Sequence, residues 1–204
     1  MTFDQISERL KHKKVGVAGC GGLGSNCAVA LARVGLGTLV IADFDVIVKS
    51  NLNRQYFFAD QIGLKKVSAL TENIRRINPD VAVTGYEVKL TPENIPAIFA
   101  GCDVIVEAFD LAGEKAMFIE TILTVFPAVP LVVGLGMAGW GMNDEIHCRK
   151  ADNLYICGDE ISEIGPGLLP IAPRVGMVAN MQANVVLELL LGKMQTKNPF
   201  ENFG

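Results

Sequence analysis

The chain has 204 residues, 50% of them hydrophobic, and a formal net charge of −4. This length predicts one domain with a substantial core, and the mildly acidic charge gives no general attraction for nucleic acid or an anionic membrane. No apolar run reaches the ~20 residues of a membrane span. The polar start over 1–14 lacks the apolar core of a signal peptide, so we expect a cytoplasmic protein.

The first half of the chain alternates between apolar strands and amphipathic helices. A short apolar run over Lys14–Ala18 predicts a strand, which a glycine turn connects to a helix predicted over 25–34. The β-branched run Thr38–Ala42 predicts a second strand. Helical spacing of apolar residues predicts a helix over 63–78, which Pro79 ends.

The second half continues this alternation and then becomes less regular. A polar stretch over 139–157 could extend the sheet with antiparallel strands, 158–174 is a possible lid or crossover loop, and 195–204 is a polar tail. The βαβα order predicts a single α/β domain over 1–204, with a Rossmann-like, doubly wound, mainly parallel sheet and helices on both faces. The remaining predicted elements are strands over 81–88, 103–109 and 130–134 and helices over 92–100, 113–126 and 175–191.

The cysteines and histidines do not indicate a metal site. None of the five cysteines forms a C-x-x-C pair, and an odd number does not suggest a complete disulfide framework. His12 and His147 lie in no recognisable metal or nucleophile pattern. We therefore expect no structural zinc.

A glycine loop follows the first predicted strand. Gly19, Gly21 and Gly24 have the spacing in which a tight turn, close phosphate approach and helix packing each exclude a side chain. A helix that begins near Gly22 would add the positive end of its dipole. Asp43 lies about twenty residues beyond the loop, where a carboxylate can accept both ribose hydroxyl protons. The loop predicts nucleotide binding but suits NAD, flavin adenine dinucleotide or ATP equally.

Motifs beyond the loop narrow the choice of nucleotide. Asp43-Phe44-Asp45-Val46 is followed by Ser50-Asn51-Leu52-Asn53-Arg54-Gln55 and then by Gly63-Leu64-Lys65-Lys66. With the glycine loop, these segments resemble the ThiF/MoeB/ubiquitin-activating family, whose members carry G-x-G-G-x-G, D-x-D, S-N-L-x-R-Q, G-x-x-K and a later aspartate. The stretch 169–184 is also similar to the short ThiF-like proteins of thiamine biosynthesis, so the resemblance covers nearly the whole chain.

The resemblance implies that ATP binds at the glycine loop. Gly22 would lie against phosphate and Asp43 against ribose, while Asn51, Arg54 and Lys66 would reach the phosphates. Cations suit this place because a carboxylate that attacks the α-phosphate is repelled by the charge of the nucleotide. Arg54 and Lys66 are therefore the expected catalytic cations. The full set expected to bind the nucleotide is Gly19, Gly21, Gly22, Gly24, Asp43, Asp45, Ser50, Asn51, Asn53, Arg54 and Lys66.

The later aspartate of the family matches Asp110, which follows a predicted strand and would bind Mg²⁺ as a catalytic residue. Its surroundings are Glu107-Ala108-Phe109-Asp110-Leu111-Ala112, and only the second acid of the family's D-x-x-D-N pattern is kept. The alternative role for Asp110 is a helix N-cap. Cys157 and Arg9 are the nearest matches to a sulfur-accepting cysteine and to a partner-subunit arginine of some relatives.

The resemblance implies an ATP-dependent adenylyltransferase that acts on the C-terminal glycine carboxylate of a ubiquitin-like sulfur carrier with a Gly-Gly tail. The ThiS type of carrier and a role in thiamine biosynthesis are expected, with the enzyme as a homodimer. Two alternatives stay open. One is an NAD-binding oxidoreductase, which the glycine loop and Asp43 alone would permit, and the other is a non-catalytic module that binds the carrier.

Overall fold

The computed structural model describes residues 1–193, so the predicted polar tail lies outside the described residues. A seven-stranded sheet forms its centre, in the order β3-β2-β1-β4-β5-β7-β6. The strands are β1 (Lys14–Ala18), β2 (Thr38–Ala42), β3 (Ala82–Tyr86), β4 (Val104–Glu107), β5 (Leu131–Gly134), β6 (His147–Ala151) and β7 (Leu154–Gly158). The α-helices are α1 (Phe3–Leu10), α2 (Gly22–Arg33), α3 (Lys66–Ile77), α4 (Ile95–Ile98), α5 (Ala112–Val125) and α6 (Ala172–Leu191).

The sheet confirms the predicted Rossmann-like, doubly wound fold. All neighbouring strands are parallel except β6, which pairs antiparallel with β7. The antiparallel extension is therefore a single edge strand, because β7 itself runs parallel to β5. The chain moves outward from β1 to β3 and then returns to β4 beside β1, which places a topological switch point between β1 and β4.

Apolar side chains on successive strand residues point to opposite faces and bury both sides of the sheet. Val104 and Val106 of β4 join one core cluster with α2, α3 and α6, whereas Ile105 joins a second cluster with α4 and α5. Helices thus cover both faces, as predicted. Among residues 1–193, no helix has the length and apolar character needed to cross a membrane.

Several element boundaries differ from the sequence prediction. The helix expected over 63–78 begins only at Lys66, because Gly63 has φ +91° and donates its N–H to the Ile47 carbonyl. The helix expected over 92–100 is reduced to Ile95–Ile98. Helix α1 was not predicted, although a capping box between Thr2 and Gln5 starts it.

Candidate functional site

A cleft of about 540 Å³ opens at the carboxyl ends of the parallel strands, beside the switch point between β1 and β4. Open α/β sheets bind their ligands at this place. Ser50, Asn51, Asn53 and Gly24 of the expected residues do not line the cleft. Those that do are Gly19, Gly21, Gly22, Asp43, Asp45, Arg54, Lys66 and Asp110.

The glycines of the loop differ in how much space each position leaves for a side chain. Gly19 has φ +92°, a left-handed conformation that favours glycine. A Cβ on Gly24 would lie 1.9 Å from the Gly19 carbonyl oxygen, so Gly24 lets α2 pack against the turn. A Cβ on Gly21 would meet only the Gln55 amide at 3.8 Å. Gly21 is thus free on its cleft side, whereas Gly24 is required by packing.

Two alanine substitutions in this loop should therefore separate binding from folding. Gly21→Ala should leave the free energy of unfolding within about 1 kcal/mol of the parent and weaken ATP binding about tenfold or more, because its methyl group enters the phosphate cradle. Gly24→Ala should destabilise the fold itself, since its methyl group overlaps a backbone oxygen. Denaturant unfolding and calorimetric titration with ATP measure the two effects. Equal ATP affinity in Gly21→Ala and the parent would contradict the cradle.

Asp43 is fixed at the end of β2 by two backbone amides. Its Oδ2 accepts a hydrogen bond from the Cys20 N–H at 2.6 Å, and its Oδ1 accepts one from the Asp45 N–H at 2.8 Å. Each carboxylate oxygen retains a second lone pair. The carboxylate is thus held against the glycine turn with acceptor capacity left for hydroxyl groups.

Arg54 lies directly beside the glycine turn. Its Cγ is 3.4 Å from the position that a Cβ on Gly22 would occupy. The guanidinium Nη1 donates to the Asn53 side chain at 2.8 Å and to the Ser50 carbonyl at 3.3 Å. These contacts use one guanidinium nitrogen, and other donors remain available to a ligand.

The polar residues before Arg54 support its segment. The Asn51 side chain accepts the Val48 N–H at 3.1 Å at the start of a 3₁₀-helix over Lys49–Asn53. The Asn53 amide donates to the Pro170 carbonyl at 3.4 Å and so connects this helix to the crossover segment. Direct contact of Ser50, Asn51 and Asn53 with the nucleotide stays a prediction, and in this structure they position Arg54.

Of the two predicted cations that line the cleft, Lys66 is more deeply buried than Arg54. Its Nζ is 2.6 Å from Asp45 Oδ2, and the side chains are 7% and 47% exposed. The second aspartate of the D-x-D motif thus forms an ion pair with the lysine of the G-x-x-K motif. Neither motif reveals this pairing when it is considered alone. An ammonium group has three N–H donors, so this ion pair leaves room for a phosphate oxygen.

Asp110 is exposed and lines the cleft on the segment between β4 and α5. The N-cap of α5 is Leu111, without a side-chain hydrogen bond, so the alternative capping role for Asp110 is not observed. No group of three or more His, Cys, Asp or Glu residues forms a metal site within 1–193. A single carboxylate still suits Mg²⁺, which commonly binds one or two carboxylates together with substrate phosphates and water.

A buried ion pair that the sequence did not predict lies beside the cleft, and its lysine belongs to the cleft lining. Glu107 is completely buried, and Lys115 Nζ lies 2.7 Å and 2.5 Å from its two carboxylate oxygens. Lys115 also donates to the Gly134 carbonyl at 2.9 Å, and the Phe109 N–H donates to Glu107 at 2.7 Å. Burial raises the pKa of Glu107, while Lys115 opposes this shift. The pair ties the ends of β4 and β5 to α5, and Lys115 adds a further cationic side chain to the cleft lining.

The crossover segment between β7 and α6 is held by a second buried ion pair. Arg174 Nη2 lies 2.5 Å from Asp159 Oδ2, and the two side chains are 2% and 0% exposed. Asp159 also accepts the N–H groups of Ile161 and Ser162, both at 2.8 Å, and the Ser162 hydroxyl at 2.6 Å. Arg174 donates as well to the carbonyl groups of Gly141 and Met142. Part of the segment then forms a wall of the cleft through Ser162, Glu163, Ile164 and Pro170.

Two remaining candidates lie outside the cleft lining. Cys157 is completely buried on β7, which favours its interpretation as a core residue. Arg9 lies on α1, and neither residue is part of the cleft lining.

Comparison with known proteins identifies the family to which the chain belongs. The ThiF family profile matches residues 2–203. The SAMP-activating enzyme E1 of Haloferax volcanii is 37% identical over 186 residues, which cover 90% of this chain and 63% of that protein. The adenylyltransferase and sulfurtransferase UBA4 of Candida glabrata is 29% identical over 205 residues, 96% of this chain and 46% of that protein. The chain thus spans about half to two thirds of the length of these curated relatives.

A solved structure shares the fold. The tRNA N6-threonylcarbamoyladenosine dehydratase TcdA of Escherichia coli, in complex with AMP, superposes with a TM-score of 0.83 and 22% sequence identity. The alignment covers 92% of this chain and 89% of that one.

Proposed function

The chain belongs to the ThiF family, and from that premise we propose that it is an ATP-dependent adenylyltransferase. Its substrate in this proposal is the C-terminal glycine carboxylate of a ubiquitin-like sulfur carrier with a Gly-Gly tail. The observation that carries the proposal is that one cleft is lined by the glycine turn, Asp43, Arg54, Lys66 and Asp110 together. A phosphate cradle, a ribose acceptor, two cations and a carboxylate for a metal ion are the parts that ATP activation needs.

Each part has a role in the proposed complex. The amides of the glycine turn and the amino end of α2 hold the phosphates, and Asp43 accepts from the ribose hydroxyls. Arg54 and Lys66 donate to phosphate oxygens. Asp110 is the residue that would hold Mg²⁺, which when bound supplies positive charge to the triphosphate.

The proposed reaction needs no side-chain nucleophile. An oxygen of the carrier's terminal carboxylate attacks the α-phosphorus, and the bond from that phosphorus to pyrophosphate breaks. Negative charge moves toward the pyrophosphate during this step, so fixed cations near the phosphates stabilise the transition state more than the ground state. Arg54 suits this role because its side chain is held beside Gly22 and by Asn53.

The names of the relatives support activation of a partner and do not decide its identity. One relative is named a SAMP-activating enzyme and another an adenylyltransferase and sulfurtransferase. The structural neighbour is named a tRNA dehydratase and shares the fold alone. A ThiS-type carrier, thiamine biosynthesis, a homodimer and a cytoplasmic site of action therefore belong to the proposal, together with the role of 158–174 as a lid.

The carrier is proposed to dock on apolar side chains around the mouth of the cleft. Trp140 is 77% exposed, Ile161 72% and Leu169 64%. Ile161 adjoins Ser162, and Leu169 adjoins Pro170, and both neighbours line the cleft. The Gly139 N–H donates to the Leu169 carbonyl at 2.9 Å, which brings the loop of Trp140 against the same segment.

A double substitution, Ile161→Asp with Leu169→Asp, should raise the KM for the carrier about tenfold or more, because it places charge in a desolvated contact. The affinity for ATP should be unchanged, since neither side chain lines the cleft. Initial rates of pyrophosphate exchange at varied carrier concentrations measure this effect. Phe3→Asp is the matched control, because Phe3 is 62% exposed on α1. An unchanged KM in the double variant would remove this surface from the proposal.

Two assays test the proposal and its alternatives. Thermal-shift titration should show stabilisation by ATP with Mg²⁺ and none by NAD, whereas the reverse would favour the oxidoreductase. Labelled pyrophosphate should then enter ATP only when the carrier is present. Binding of ATP and carrier without any exchange would favour the non-catalytic module.

A further inference from the structure

Two cysteines face each other across the antiparallel edge of the sheet. In the register of β6 and β7, Cys148 is the direct partner of Cys157. The two residues are far enough apart in sequence that neither resembles a C-x-x-C motif, and only the hairpin brings them together. Neither lines the cleft, so this pair is separate from the proposed nucleotide site.

The pairing geometry suits a disulfide. Directly opposed residues of antiparallel strands have Cα atoms about 4.5–5.5 Å apart and side chains on the same face of the sheet. Disulfides join Cα atoms that are roughly 4.4–6.8 Å apart. Burial raises the pKa of the Cys157 thiol, and the charge and hydrogen bonding of the adjacent Cys148 thiol raise it further. The strand register itself places the two side chains next to each other on one face of the hairpin.

The two thiols differ in their access to solvent. Cys148 is exposed on the edge strand, whereas Cys157 is buried in the core with Cys27. Cys20 and Cys102, like Cys27, are also buried, so within 1–193 Cys148 is the one cysteine that a solvent oxidant can reach. An exposed thiol beside a buried thiol is the arrangement in which the exposed thiol reacts with the oxidant and the buried thiol then resolves the mixed disulfide.

We propose that Cys148 and Cys157 form a reversible intramolecular disulfide, with a low-molecular-weight disulfide such as oxidised glutathione as the oxidant. The Cys148 thiolate attacks one sulfur of oxidised glutathione, which forms a mixed disulfide and releases one glutathione. The Cys157 thiolate then attacks the Cys148 sulfur and releases the second glutathione. The two cysteines lose two electrons and two protons, and the oxidant gains both.

The disulfide would join the edge strand to the strand that leads into the crossover segment. Cys157 is followed by Gly158 and then by Asp159, whose carboxylate holds Ile161, Ser162 and Arg174. The modification site therefore lies two residues from the ion pair that anchors one wall of the cleft. Its formation does not depend on the proposed activity and can be tested without it.

Peptide mapping tests the proposal directly. The full chain is incubated with oxidised glutathione at mildly alkaline pH, free thiols are alkylated, and trypsin is added. Cleavage at Arg149 and Lys150 places the two cysteines on separate peptides, 116–149 and 151–174, each with no other cysteine. We expect a cross-linked pair of these peptides, lighter by two hydrogen atoms than their sum, that dithiothreitol separates.

Variants distinguish this disulfide from random oxidation. Cys148→Ser should abolish the cross-linked species, whereas the matched control Cys102→Ser should retain it. Cys157→Ala should leave Cys148 as a stable glutathione adduct, and the wild-type peptide map decides the question even if this buried substitution disturbs folding. Recovery of Cys148 as the glutathione adduct with Cys157 alkylated in the wild-type protein would overturn the proposal, as would both thiols remaining free.

Discussion

Replacing Arg54 with alanine should lower the rate of carrier-dependent pyrophosphate exchange about 10²–10³-fold, the usual effect of removing one preorganised donor to developing charge. The structure places this side chain against Gly22 and anchors one end of its guanidinium to Asn53 and the Ser50 carbonyl. Its position is therefore set before the nucleotide arrives. Arg54 lines the cleft and is only half-buried, so its removal should leave the fold intact.

The control for this prediction is Arg76→Ala, which removes the same charge from the exposed side of α3, away from the cleft lining. Its exchange rate should match that of the parent. Arg54→Lys should recover only part of the activity, because a lysine cannot present a planar set of donors. Full activity in Arg54→Ala, with the same melting temperature as the parent, would remove Arg54 from the proposed chemistry.

Asp159→Ala should lower the free energy of unfolding by about 3–5 kcal/mol, since it leaves a buried guanidinium without its counter-ion. Arg174 is 2% exposed, so water cannot replace the lost carboxylate without a local rearrangement. The double variant Asp159→Leu with Arg174→Met should be less destabilised than Asp159→Ala, because it removes the charge as well. Denaturant unfolding measures both. If the single variant were as stable as the parent, the ion pair would not anchor the crossover segment.

The same pair predicts how stability depends on pH. Burial alone would raise the pKa of Asp159, but hydrogen bonds from Ser162, Ile161 and Arg174 together hold it well below its usual value. A carboxylate with a depressed folded-state pKa stabilises the protein above its unfolded pKa of about 3.9. That contribution is lost as the pH falls from there through the folded value. Acid unfolding curves of the parent and Asp159→Ala should therefore converge at low pH.

The sequence was sufficient for the features that are local or repeated. Apolar runs of strand length and helical spacing predicted the alternating elements, and from their order came the parallel sheet with helices on both faces. Gly19, Gly21 and Asp43 were identified by their spacing. A glycine turn and a carboxylate that follow two neighbouring parallel strands must lie at the same edge of the sheet. The structure places all three in the cleft lining.

The features that the sequence did not reveal depend on long-range pairing. Lys66 with Asp45, Glu107 with Lys115, and Asp159 with Arg174 join different elements, and no periodicity connects their positions. The role of Asn51 and Asn53 in holding Arg54 likewise depends on the local 3₁₀-helix and on Pro170. Such pairs become visible only after the strand order and the path of the crossover segment are known.

The most direct test of the proposed activity is to trap the activated carboxylate. The protein is incubated with ATP, Mg²⁺, hydroxylamine and a carrier protein of the ThiS type, and the carrier's C-terminal peptide is analysed by mass spectrometry. We predict that the terminal glycine becomes a hydroxamate only when ATP is present, with AMP and pyrophosphate as products, and that a carrier lacking its last two glycines is unchanged. An unmodified terminal carboxylate, with the carrier bound and ATP intact or converted to ADP, would contradict the account.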